Sequence, residues 1–451
     1  MSEILPLLLC VQPALDATVT RQLAGIITAL LTMTGRVTML GIARWGERGT
    51  SYRTVQRFFH ASVPWLQVGW RFFQQHLWEA DDTYLLAGDE TVVTKSGKTT
   101  HGVDRFFSSL VQKAVPSVAF FVLSLVSVKR RRSSPLLSRQ VVRSAEERAA
   151  AAARRKQPQK KATKPTGRKR GRPRGSKKVA GVEAPLNAEL LRIQGWVRLV
   201  VEVVRAVLGL KYLVLDGHFG NAGGYALARG EGLELISKLR HDAALYEPYA
   251  GPQAKRGAKR KYGAKLNYHD LPPQALVSTE VADGVQTNTY QGVYWHKAFG
   301  RQLNVVVVVK TKVADGQRSH VVLFSSDLTL GAAQVVEYYR LRFQLEFNFR
   351  EAKQHWGLED FQVTDEVAVG NAASLSLFMV LVSTVLLGAE AAVEGARSIH
   401  DLQARYRGWR YVQETIKSLR LAAEDIKIDR LGAAVSRLGR IHQERPATTA
   451  A

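Results

Sequence analysis

Between residues 129 and 178 the chain carries 20 lysines and arginines against two acids, Glu146 and Glu147, so this stretch holds +18 of a formal net charge of +25. Its second half, "RRKQPQKKATKPTGRKRGRPRGSKK", has Pro, Gly and Ala where a core would need apolar bulk. That is the composition of a segment that stays unfolded or weakly helical. Residues 129–182 are therefore expected to form a basic, disordered insertion, and whatever folds must fold around it. Upstream lie two strand-like runs, "YLLAGDET" and "SVAFFVLSLVSV". Downstream come an amphipathic helix, "LLRIQGWVRLVVEVVRAVLG", and a buried strand, "KYLVLDG". Strands separated by a helix of this length predict an α/β fold.

The rest of the chain extends that reading. With 451 residues, 46% of them hydrophobic, it can bury a large core in two or three structural units. From about 235 to 325 the text is strand-like, with "ELISKLR", "GVQTNTYQGVYWHKAF", "LNVVVVVKTK" and "SHVVLFSSD" separated by turn residues. Both ends read as helical. Near the N-terminus, "TMLGIARWGERGTSYRTVQRFFH" predicts two short helices about a Gly-bounded turn, with Ser51 as an N-cap. The apolar runs "VPSVAFFVLSLVSV" and "AASLSLFMVLVSTVLLGAE" are short or broken by Ser and Thr and are expected to be core elements, so no membrane association is expected. The N-terminus has no basic region before its apolar run, which argues against a signal peptide. The single cysteine, Cys10, excludes an internal disulfide framework and suits a reducing cytoplasm. A pI near 10.2 points to a polyanionic partner, most simply nucleic acid. The Gly-rich piece "GNAGGYALARGEG" lacks the Gly-Lys-Ser/Thr of a P-loop, so no nucleotide cofactor is expected.

One segment concentrates chemistry. "YYRLRFQLEFNFREAKQHWGLEDFQ", residues 338–362, reads as a single helix. At about 100° per residue, Tyr339, Arg342, Glu346 and Lys353 fall on one narrow stripe framed by Phe349, Trp356, Leu345 and Leu341. A carboxylate between apolar walls is not an ordinary solvated ion-pair face, and it needs partners. Asp89 in "YLLAGDET" and Asp216 in "KYLVLDG" both stand at the ends of strand-like runs, where ligand chemistry gathers in α/β folds. Three such carboxylates supply the hard oxygen ligands for a pair of Mg²⁺ ions about 3.5–4 Å apart, which can activate a water or 3′-hydroxyl against a phosphodiester. His218, two residues after Asp216, reads as a turn histidine rather than a metal ligand or general base.

These motifs carry a resemblance. Tyr339, Arg342, Glu346 and Lys353 match the Y-x2-R-x3-E-x6-K pattern of DDE transposases of bacterial insertion sequences, the "insertion sequence four" group. "GDETVVTKSGKTTHGVDRFF" resembles that group's segment around its first Asp, and "LVLDGHFGN" the segment around its second. The similarity covers roughly residues 40 to 390 and does not include the basic insertion. It implies an RNase H-like catalytic core with a β-rich insertion, flanked by helical N- and C-terminal regions. The units it implies are a helical DNA-binding region (1–75), the first part of the core (80–128), the basic insertion (129–182), the second part of the core (183–234), the β-rich insertion (235–328), the catalytic-helix part (329–390) and a helical C-terminal region as the candidate dimer contact (391–451). It further implies Asp89, Asp216 and Glu346 as the catalytic, metal-binding triad for two Mg²⁺ ions, with Mn²⁺ as a substitute. Tyr339, Arg342 and Lys353 would grip phosphates of the element's ends, which are freed through a hairpin before strand transfer. Trp295 in "VYWHKAF" is then a candidate for holding a flipped base, with a packed strand residue the favoured alternative.

Three segments are candidate DNA contacts. "GRKRGRPRGSKK" resembles an AT-hook whose Arg170, Arg172 and Arg174 would enter a narrow A·T minor groove; a nonspecific polybasic linker is the alternative. A helix-turn-helix near the N-terminus would present Tyr52, Arg53, Gln56 and Arg57 to a major groove. "KRGAKRKYGAK", residues 255–265, is a basic loop suited to phosphates. The expected partners are double-stranded DNA, both element ends and target, and a second copy of the chain in a paired-end complex, in a bacterial cytoplasm near the nucleoid. A metal-dependent nuclease that cuts without joining, or a noncatalytic AT-rich DNA-binding protein, stays open at this point.

Overall fold

The structure is a computed structural model that describes residues 3–47, 49–108, 111–156, 186–393 and 398–419, with 431, 432 and 435. Five helices open the chain: α1 (Ile4–Leu7), α2 (Ala17–Thr32), α3 (Met39–Trp45), α4 (Tyr52–Phe59) and α5 (Trp65–His76). Each of α2, α3 and α4 begins on a hydroxyl or carboxylate cap: Asp16 accepts from Thr18 and Val19 amides, Thr38 from Gly41, and Ser51 from Thr54. Such caps satisfy backbone donors that the first turn leaves free.

Among the described residues one mixed sheet of 12 strands organises the molecule. Its first part is antiparallel, with β3 (Lys113–Ser127) paired to β1 (Tyr84–Thr94) on one edge and to β2 (Asp104–Ser108) and β4 (Arg132–Gln140) on the other. After α6 (Ala145–Lys156) and α7 (Ala188–Val204) the chain returns as β5 (Tyr212–Val214), parallel to β1. It then crosses through α8 (Ala222–Gly230) into β6 (Glu234–Lys238), parallel to β5. The order across this part is β4-β3-β1-β5-β6. Beyond β6 the sheet continues with β7 (Leu245–Pro248), β8 (Tyr262–Lys265), β9 (Leu276–Ala282), β10 (Val285–His296), β11 (Arg301–Lys312) and β12 (Arg318–Ser325). Strand β12 joins β6 antiparallel, so the second half is fused edge to edge with the first. The remaining helices are α9 (Ala332–Leu341), α10 (Gln344–Gln354), α11 (Glu366–Val393) and α12 (Ile399–Leu419).

The sheet separates two cores. Alternation along β1 sends Leu85, Ala87 and Val93 toward α2, α4, α9, α10 and α11, and Tyr84 and Leu86 toward α7 and α8. Helix α11 is long and apolar enough to cross a membrane by length and composition, yet 67% of its apolar window is buried inside this molecule. Its hydroxyls are satisfied internally, Ser376 donating to Ala372 O at 2.9 Å and Ser383 to Val380 O at 3.1 Å. A helix apolar all round is the centrepiece of a core.

Two expectations need correction. Residues 132–140 were assigned to the basic insertion but are β4, paired along β3 and covered by α5, α10 and α11. Of the insertion, residues 157–182, with Arg170, Arg172 and Arg174, lie outside the described residues. The segment 338–362 is two helices, because Phe343, Leu345 and Glu346 amides bond to carbonyls three residues back, Arg340, Arg342 and Phe343. That 3₁₀-like turn winds more tightly than α-helix and rotates α10 relative to α9. Helix α12 packs on α2 of its own chain, where Arg407 Nε donates to Thr32 O at 3.1 Å, and its Tyr411 meets Trp45 of α3. Its buried Leu402, Tyr406 and Val412 are spent inside the chain.

Candidate active site

Asp89 sits inside β1, opposite Val122 of β3. On the other side the parallel ladder pairs Leu86 with Leu213 and Ala87 with Val214. The same offset carried two residues further brings Asp89 level with Asp216, just past the end of β5. Gly88 makes the close approach possible: a Cβ there would lie 2.8 Å from the Phe121 ring and 3.0 Å from Leu215. Asp216 opens a tight turn in which His218 N donates to its Oδ1 at 3.1 Å and Ser237 Oγ donates to its carbonyl at 2.7 Å. Gly220 completes that turn against β6, since a Cβ would fall 2.0 Å from Lys238 O.

The third acid arrives from the helices. Glu346 lies in the first turn of α10, half-exposed, and Arg342 Nη2 is 3.7 Å from its Oε1. Nη1 of the same guanidinium donates to Asp89 Oδ2. Arg342 is only 13% exposed, its Nε is buried without an acceptor, and its charge acts on the nearby Tyr339 hydroxyl. Asp89, Glu346, Tyr339 and Arg342 thus form one cluster, with Asp216 close enough to act on the charges of Asp89 and Tyr339.

The electrostatics are those of crowded acids at a half-buried edge. Burial pushes the Asp89 carboxyl above its ordinary value, Arg342 pulls it back in part, and Asp216 adds to the rise. Glu346 is raised by burial and by Asp89 against the pull of Arg342. The Tyr339 hydroxyl is raised by burial. A bound cation would reverse these shifts, because it favours the ionised carboxylates.

Lys353 leaves the stripe. Its Nζ donates to Val92 O of β1 at 2.8 Å and pairs with Glu359 at 3.4 Å, so it straps α10 to the strand that carries Asp89. Lys95 does the same from the end of β1, donating to Phe361 O at 2.8 Å and lying over the Phe361 ring. Trp295, on β10, is half-buried against Tyr262 and Lys261. It is five strand positions from β1, roughly 24 Å at usual strand spacing, so one chain does not bring it to the triad. On α4, Tyr52, Arg53, Gln56 and Arg57 are all exposed, with Tyr52 and Gln56 lining a cavity of about 470 Å³ against Trp356 and Phe361.

One neighbour was not anticipated. Glu90 points by strand alternation away from Asp89, yet both line one open cleft of about 780 Å³ together with Asp216, Glu189, Trp196 and His218. Burial raises its carboxyl to about 7. His218 lies 3.5 Å from Glu189, on the cleft that Asp89 and Asp216 also line. The signal was available in the period of two along "GDET", which separates adjacent acids onto different faces.

The donor set fits a hard divalent cation by chemistry: three carboxylates at one sheet edge, two of them already holding a positive group between them. Among the described residues no group of three or more His, Cys, Asp or Glu is arranged as a ready metal site, and the Arg342 guanidinium contacts both Asp89 and Glu346. The family described as DDE superfamily endonuclease matches residues 10–302. That match spans the N-terminal helices, Asp89 and Asp216 and ends before α9 and α10. Among curated proteins none matches the chain.

Proposed function

We propose, from the premise that this chain belongs to the DDE superfamily endonuclease family, that it is the transposase of an insertion sequence. On this reading it binds the terminal inverted repeats of its element, cuts there and joins the freed ends to target DNA, acting as a homodimer on paired ends. The order β4-β3-β1-β5-β6, with β1 and β5 parallel, supports an RNase H-like core. The observation that carries the reading is the level placement of Asp89 beside Asp216, with Glu346 reached through a shared Arg342. Asp89, Asp216 and Glu346 would hold divalent ions, Mg²⁺ or Mn²⁺, which supply Lewis-acid activation of the attacking hydroxyl and stabilisation of the leaving oxygen.

The chain's own residues do the rest. Strand β1, strapped by Lys353 and Lys95, holds Asp89 against rotation while the Asp216 turn is locked by Ser237. Arg342 and Tyr339 stand beside the acids as donors to a phosphate. The exposed face of α4 and the basic stretch at 255–265 supply phosphate and groove contacts away from the reacting bond. A flipped base on Trp295, an AT-hook at Arg170, Arg172 and Arg174, and hairpin release of the ends belong to the same proposal.

The test is Mg²⁺-dependent cleavage and joining of a donor duplex bearing the element's terminal repeats. Glu346→Gln and Asp89→Asn are expected to lose at least about 10³-fold in rate while still binding DNA, the scale of removing a group that works in the transition state. Cutting without joining by wild type would make the chain a nuclease only. Binding without cutting under Mg²⁺ or Mn²⁺ would make it a noncatalytic DNA-binding protein.

A further inference from the structure

We infer that Arg342 is the triad's own counter-cation, and that it couples metal binding to phosphodiester binding. The inference rests on the proposed reading of Asp89, Asp216 and Glu346 as the metal-binding acids. Its evidence is the position of one guanidinium. Nη1 donates to Asp89 Oδ2, Nη2 lies 3.7 Å from Glu346 Oε1, and the side chain is almost fully covered. The group thereby occupies the space between two carboxylates that a divalent ion would have to share.

A guanidinium and a divalent ion exclude each other there. Mg²⁺ needs oxygen atoms at about 2.0–2.1 Å in near-octahedral geometry, and an oxygen engaged by an N–H donor is not free to turn toward it. Two like charges in a half-buried pocket also repel more strongly than in water. Arg342 must therefore leave Asp89 for the metal to be held by both acids.

Leaving is favourable only if the guanidinium finds another acceptor. The side chain is already partly unsatisfied, since its Nε is buried with no hydrogen-bond partner. A phosphate of bound DNA offers paired oxygens that match the planar fork of Arg and replace the lost carboxylate. DNA then draws Arg342 away from Asp89 and opens the acids to metal, and metal releases Arg342 to the phosphate. Because linkage is reciprocal, each ligand tightens the other by the same factor. In the DNA-free protein the acids are neutralised by Arg342 and bind metal weakly, which keeps the hydrolytic machinery unassembled until substrate is present.

The experiment measures two affinities of the full chain. Mn²⁺ binding to DNA-free protein is titrated by calorimetry for wild type, Arg342→Gln and Asp89→Asn. Duplex binding is measured by anisotropy, with a fluorescein-labelled random-sequence duplex, in the presence and absence of Ca²⁺. Arg342→Gln is expected to bind Mn²⁺ about tenfold more tightly than wild type, and wild type to bind the duplex about tenfold more tightly with Ca²⁺ than without, a coupling that Arg342→Gln lacks. Equal or weaker Mn²⁺ binding by Arg342→Gln, with Asp89→Asn binding none, overturns the counter-cation role and leaves the triad reading intact. Mn²⁺ binding that is the same in Asp89→Asn as in the other two overturns the triad reading, and this inference with it. Should Arg342→Gln fail to fold, the Ca²⁺ dependence of duplex binding in wild type against Asp89→Asn decides: its absence in wild type overturns the coupling.

Discussion

At the scale of single residues, the helical stripe combined residues with different tasks. Periodicity grouped Tyr339, Arg342, Glu346 and Lys353, and the first three do meet around Asp89. Lys353 instead holds the Val92 carbonyl, three residues along β1 from Asp89. Removing it with Lys353→Ala leaves that carbonyl without its donor, so stability is expected to fall by about 1–3 kcal/mol, read as a lower urea midpoint at unchanged slope. A lysine that served phosphate alone would leave the midpoint where it was. The wheel could not separate these roles because it assumed an uninterrupted helix. Nothing in "YRLRFQLEF" marks a breaker, neither Gly nor Pro, and the tight turn at Arg342–Phe343 comes from packing rather than local preference. The Asp89–Arg342 pair was equally hidden, since 253 residues separate its members.

At the scale of elements, strands and caps written in local pattern were legible and those overridden by tertiary contact were not. Ser51 caps α4 as its position before "YRTVQRFF" implied. The strand-like stretches at "ELISKLR", "TNTYQGVYWH", "LNVVVVVKTK" and "SHVVLFSS" hold β6, β10, β11 and β12. Strand β4 is hidden in the charge count because "RSSPLLSRQ" has an arginine near each end and only two large apolar residues, Leu136 and Leu137, between them. Its small Ser133 and Ser134 are buried, Asn348 donates to Ser133 Oγ, and Pro135 is tolerated because only one edge of β4 is paired. Charge averaged over a window cannot reveal a strand whose buried residues are two leucines among serines. The face of α4 is a prediction of its own. Arg53 and Arg57 sit one turn apart and exposed, so Arg53→Ala with Arg57→Ala is expected to weaken duplex binding and flatten its salt dependence by about 1.8 logarithmic units per unit of log salt. Unchanged thermal stability with that loss identifies a DNA-facing surface, and an unchanged salt slope rules it out.

At the scale of the whole molecule, the helix bearing Glu346 is useful only if it stays fixed against the strands bearing Asp89 and Asp216, and one buried acid holds that junction. Asp327 lies between the end of β12 and the start of α9, and is 9% exposed. Lys211, just before β5, is 2.8 Å from its Oδ2, the Tyr212 hydroxyl donates at 2.9 Å, and the Thr329 amide and hydroxyl donate at 2.9 and 2.7 Å. The carboxylate so ties β12 to β5 across β6, the strand between them. Burial alone would raise its pKa, but Lys211, Thr329 and Tyr212 outweigh it and hold the carboxyl well below its ordinary value of 3.8. A depressed carboxyl stabilises the fold fully above that ordinary value, and the contribution is lost as pH falls from 3.8 through the folded-state value. Asp327→Asn removes the charge while keeping the shape, and Lys211 remains more than half-exposed, so the cost is expected to be about 1–3 kcal/mol at neutral pH. Urea unfolding across pH should then show wild type losing stability relative to the variant below about pH 4, the two curves converging as the carboxylate is protonated. Parallel curves down to acid pH would place the junction's strength elsewhere, in the apolar packing of β6 and β12. If the junction also sets catalytic geometry, Asp327→Asn should slow DNA cleavage at neutral pH without weakening DNA binding, because only the distance between Glu346 and the two strand acids has been loosened.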